Sequence, residues 1–76
     1  MEKIPSVEKI IIKMKSQPRG IRLEEAEKVL SAYGYHFKRQ RGSHRYYLND
    51  NGDLFMLKEP LKISYIKELL DRIGEN

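Results

Sequence analysis

The chain has 76 residues, 39% of them hydrophobic and 34% charged, which suits one small globular domain and excludes both a disordered tail and a second core. It holds no cysteine and two histidines, so disulfides and thiolate zinc sites are ruled out and apolar burial must carry the fold. Lysine and arginine number 15 against 11 acids, a net charge of +4, and the lack of cysteine fits a reducing, cytoplasmic setting.

The opening MEKIPSVEK has an acid at position 2 and a proline at 5, a pattern unlike a signal peptide. The longest apolar runs, Leu54 to Leu57 and Ile10 to Ile12, are far shorter than the roughly 20 residues of a membrane span. After Pro5-Ser6, the residues Val7, Ile10, Ile11 and Met14 follow the i, i+3, i+4, i+7 spacing of one buried helix face. That helix is expected to stop at Gln17-Pro18-Arg19-Gly20, because proline disfavours helix in the residue before it and glycine permits a turn. A second helix starts near Arg22, with Leu23, Ala26, Val29, Leu30 and Tyr33 as its apolar stripe and Gly34 as its stop. Glu24 and Glu25 suit its positive N-terminal end.

From Tyr35 the period changes from 3.6 to 2. Tyr35 to Gln40 reads as a strand, Arg41-Gly42 as a tight turn, and Ser43 to Asn49 as a second strand. The turn Asp50-Asn51-Gly52-Asp53 leads to a third strand, Leu54 to Lys58. A last helix carries Ile66, Leu69, Leu70 and Ile73, with Ser64 as the expected N-cap and Gly74 as the stop. The order α-α-β-β-β-α predicts an α+β domain in which helices cover one face of a three-stranded antiparallel sheet. The other face is left open to solvent or to a ligand.

The net charge is concentrated in the first hairpin. Between Tyr35 and Asn49 lie Lys38, Arg39, Arg41 and Arg45 and no acid, interleaved with Tyr35, Phe37, Tyr46 and Tyr47. Cations among aromatics are what a surface needs to hold phosphate and stack on bases, although a solvated basic hairpin has the same composition. No Walker loop, GxGxxG, HExxH or cysteine nucleophile is present, and no metal or other cofactor is expected. Asp50 and Asp53 beside Asn51-Gly52 read as turn chemistry.

His44 follows Gly42 and Ser43 at the start of a strand among these cations. RNA is cleaved when a ribose 2′-OH attacks the adjacent phosphate, which calls for a base that works near neutrality and positive charge around the phosphorane. His44 is the candidate base, and Lys38, Arg39, Arg41, Arg45 and Tyr46 are the candidate RNA contacts. With Arg41-Gly42 as a two-residue turn, Arg39 pairs with His44 and strand alternation sends His36 to the opposite face. A single catalytic histidine is therefore expected, with the leaving oxygen protonated by water or a cationic neighbour, and His36 is read as structural. The same residues also suit a non-catalytic RNA-binding module, which would contact phosphates and need no histidine. A basic hairpin docking an acidic protein partner is the third reading.

The run EKVLSAYGYHFKRQRGSHRYYL, followed by a hairpin and LKISYIKELLDRI, resembles the HicA toxins of bacterial toxin–antitoxin pairs over roughly Ile21 to Ile73. That resemblance implies a fold like the double-stranded-RNA-binding domain, mRNA cleavage without metal, and neutralisation by a HicB antitoxin. It also implies that the family's catalytic histidine falls on His44, with Gly42 and Ser43 at the neighbouring motif positions. Residues 1–20 then correspond to an N-terminal helical extension and 21–76 to the RNA-binding and nuclease domain, within one compact unit. The chain departs from the family after the third strand, where Phe55 to Lys62 replaces the common Thr-(Val/Ile)-Pro stretch.

Overall fold

Ser6 starts the first helix by accepting a hydrogen bond at its Oγ from the Lys9 N–H (3.3 Å). The computed structural model describes residues 6–75. Helix α1, Val7–Ser16, buries Ile10, Ile11 and Met14, the stripe its spacing predicts. A 3-10 turn, Pro18–Gly20, separates it from α2, Leu23–Ala32. Glu25 is 4% exposed, because its carboxylate accepts the Arg22 backbone N–H (2.9 Å) and both oxygens receive the Lys13 ammonium of α1 (3.0 and 3.1 Å). This acid caps α2 and ties it to α1. Burial pushes the Glu25 carboxyl up, but the Arg22 N–H and the Lys13 charge outweigh it and hold the group below its usual range.

Gly34 adopts a φ of +89° after α2. That conformation lets the Tyr35 N–H reach the Leu30 carbonyl (2.8 Å) and the Gly34 N–H reach that of Ser31 (3.1 Å). The same pair of bonds, from Glu75 to Leu70 and from Gly74 to Asp71, closes α3 at Ile63–Arg72. Helix α3 begins earlier than expected: Lys62 occupies the N-cap position and Ser64 lies inside the first turn. Tyr33 also departs from the predicted stripe and is exposed, since it follows the last helical residue.

Between α2 and α3 the strands β1, His36–Arg41, β2, His44–Leu48, and β3, Leu54–Lys58, form an antiparallel sheet in the order β1-β2-β3. The β2–β3 connection is held by the Asn49 side chain, whose Oδ1 accepts the backbone N–H groups of Asn51 and Asp53 (3.0 and 2.8 Å). Tyr47, Phe55 and Leu57 face the helices in one core with Ile10, Met14, Val29, Leu30, Ile66 and Leu69. The architecture is the predicted α+β order with the sheet's second face left open.

Candidate nucleic-acid interface on the open sheet face

The first hairpin turns one residue later than its sequence suggested. Arg41 pairs with His44, so Gly42-Ser43 is the two-residue turn and β1 runs to Arg41. Gly42 has a φ of +60°, and among the described residues only glycines have positive φ, so Ser43 does not, which is the pattern of a type II′ turn. Its first central position needs a glycine, and Gly42 supplies it.

A β-bulge then resets the faces. Phe37 pairs with Tyr47 and Arg39 with Tyr46, which leaves Lys38 as the extra residue. Without that insertion Phe37 would follow Arg39 and Arg41 onto the open face. With it, Phe37 takes the helix-side face, where it stays half-exposed and meets the Tyr47 ring edge-on (centroids 5.9 Å), and His36 joins the open face opposite Leu48. The expectation that His36 lies on the other side from His44 is thereby corrected. The two histidines are still far apart, because four residues of strand separate Leu48 from His44, about 13 Å at roughly 3.3 Å per residue.

Pairing and alternation place Arg41, His44 and Lys58 in one row across the three strands, and Arg39, Tyr46 and Met56 in the next. His44 is half-buried, with its ring 6.5 Å from that of Tyr46 at 31°. The Arg39 guanidinium lies over that same ring, 5.6 Å from the Tyr46 centroid. Among the described residues no hydrogen bond or ion pair engages the His44 ring. Arg41, Lys38 and Lys58 are exposed, and the two rows contain cations, aromatics and a methionine but no acid.

Arg45 does not join this set. It pairs with Gln40 and Leu57 on the helix side of the sheet. There its Nε and Nη2 donate to the Glu27 carboxylate of α2 (3.2 and 2.9 Å) while the guanidinium lies 4.7 Å from the Phe37 ring centroid. Tyr47 donates to the same Glu27 oxygen (2.6 Å), and burial followed by this bond pushes its phenol up to about 12. From Arg45 the hydrogen bonding continues through Nη1 to Gln40 Oε1 (2.8 Å), and from Gln40 Nε2 to the Gly42 carbonyl (2.8 Å). The side chains thus connect α2 to the turn that carries Gly42, Ser43 and His44.

Lys58 is the neighbour that sequence reasoning passed over. It lies 14 positions beyond His44, in a segment with no basic run, and only the β2–β3 register reveals the pairing. Asp53 has the structural part its turn chemistry implied: it accepts from the Tyr35 hydroxyl and from Arg72 Nη1 (2.7 Å). The Tyr35 bond first, and the Arg72 charge with it, hold the Asp53 carboxyl below its usual value.

These observations define a small α+β domain with a cationic, acid-free sheet face on which His44 stands between two cations. The family model described as the HicA toxin of bacterial toxin–antitoxin pairs matches residues 23–74, and the chain belongs to that family. It is thus the toxin of such a pair, with an antitoxin as its partner. The match begins at α2, so α1 precedes it. No curated protein and no solved structure matches the chain. Among the described residues no helix is long and apolar enough to cross a membrane.

Proposed function

We propose that this toxin is a metal-independent endoribonuclease that cuts mRNA in the cytoplasm, with His44 as the general base. His44 takes the proton from a ribose 2′-OH, the 2′-oxygen attacks the adjacent phosphorus, and the 5′-oxygen leaves. Gly42 and Ser43 set the turn that presents His44. Arg39, Arg41 and Lys38 hold neighbouring phosphates, and the Tyr46 ring offers a stacking surface. What carries this reading is the place of His44, half-buried on the open face, in a row with two cations and with no acid in that row or the next. Arg45 belongs to the scaffold in this account, because Glu27 neutralises it on the opposite face.

The partner is a HicB-like antitoxin that covers this face. Leu48 and Leu54 continue the surface beyond the cationic rows, next to Met56, and Leu54 is 48% exposed, giving a protein partner apolar area beside the site it blocks. The test is a long single-stranded transcript incubated with chelator and either the native protein or His44→Ala. The native protein is expected to cut it, and His44→Ala to bind with similar affinity but leave it intact. Equal cutting by both overturns the assignment of His44. Binding without cutting by both identifies an RNA-binding module instead.

A further inference from the structure

We propose that Lys58 is a second catalytic group, the cation that stabilises the phosphorane formed when His44 acts. This rests on the reading of His44 as the base and adds a residue from a different hairpin.

The register carries the argument. His44 pairs directly with Lys58 on β3 and with Arg41 on β1, so both cations flank it on the open face. Directly opposed residues bring their Cβ atoms to about 4.5–5.5 Å, within a side chain's length of a phosphate whose neighbouring ribose meets the imidazole. Four cations elsewhere in the fold are committed to acids, Arg45 to Glu27, Arg72 to Asp53 and Glu68, Lys13 to Glu25, and Lys15 to Glu75, whereas among the described residues the cations beside His44 are not. Lys58 is exposed, and among the described residues its ammonium has neither an ion pair nor a hydrogen bond.

Lysine offers a compact point charge with three donors, whereas arginine holds phosphate oxygens through a rigid fork. Arg41 therefore suits the bound phosphate, and Lys58 suits the oxygen that gains charge during the reaction. In the step proposed, the 2′-OH proton passes to the His44 ring and the O2′–P bond forms. The P–O5′ bond breaks as water protonates the leaving oxygen. The hydroxide left behind then recovers the proton from the imidazolium. Lys58 exchanges no proton: its charge neutralises a non-bridging oxygen throughout.

The test compares native protein, Lys58→Met, Lys58→Arg and His44→Ala in single-turnover cleavage of an end-labelled RNA. Affinity is measured in parallel on an uncleavable 2′-deoxy analogue at the same salt concentration. Lys58→Met is expected to lower the cleavage rate about 100-fold while weakening affinity less than about 3-fold, since one counterion's release separates the two. Lys58→Arg, which keeps the charge, is expected to restore most of the rate. A Lys58→Met rate equal to native, or a rate loss no larger than the affinity loss, overturns the role of Lys58. His44→Ala inert beside a fully active Lys58→Met overturns Lys58 alone. His44→Ala cutting at the native rate overturns the base reading and this inference with it.

Discussion

Arg45 and Lys58 carry the same charge and sit on opposite faces of the same sheet, and Glu27 accounts for what becomes of Arg45. Its carboxylate takes two guanidinium bonds and the Tyr47 hydroxyl, so three donors share one acceptor on the helix side. Tyr47 is 2% exposed, and its hydroxyl has little access to water if that acceptor is lost. Truncating Glu27 to alanine is expected to destabilise the fold by about 1–3 kcal/mol, the cost of leaving partly buried polar groups without a partner. Glu27→Gln, which keeps an acceptor oxygen, should lose less. Urea denaturation of the two variants checks this, and equal midpoints for Glu27→Ala and the native protein would remove the network's structural importance. At this scale the sequence was misleading. Arg45 reads as one more member of a basic run, and nothing local announces that an acid 18 residues earlier neutralises it.

The elements themselves were largely visible before any coordinates. The Ile10, Ile11 and Met14 stripe, the limits of β3 and the helix stops at Gly34 and Gly74 follow from periodicity and from the backbone freedom glycine provides. The hairpin register was not visible, for two physical reasons. Arg41-Gly42 and Gly42-Ser43 are both acceptable two-residue turns by composition, and only the chain's choice of Gly42 at the first central position decides between them. The bulge at Lys38 is worth one residue, yet it inverts the faces of everything before it on β1. The pairing of His44 with Lys58 depends on the next hairpin, whose register no single residue specifies. The turn yields its own prediction. Gly42 has nothing within 4 Å of where a Cβ would stand, so Gly42→Ala meets no clash and its cost is purely conformational. A loss of about 1–2 kcal/mol is expected from holding an L-residue at positive φ. Thermal or urea unfolding measures it, and Ser43→Ala, at negative φ, serves as the control that should be near neutral.

Across the whole molecule the two faces of the sheet divide the work. The inner face joins α1, α2 and α3 in a single core, and the ion pairs Lys13–Glu25 and Lys15–Glu75 bring α1 to the rest. Although the family match starts only at residue 23, α1 supplies Ile10, Ile11 and Met14 to that core, so it belongs to the folded body. The outer face keeps its cations unneutralised and the His44 imidazole accessible between two of them, an arrangement intelligible as a place for a polyanion. In the proposed reaction His44 removes a proton from a ribose 2′-OH. Two copies of one RNA, identical except for a single 2′-deoxy sugar at the preferred cleavage position, test it when incubated with native protein and chelator. The all-ribose strand should be cut there to give a 2′,3′-cyclic phosphate and a 5′-hydroxyl, and the deoxy strand should stay intact at that linkage. Cutting of the deoxy linkage at a comparable rate would contradict the claim.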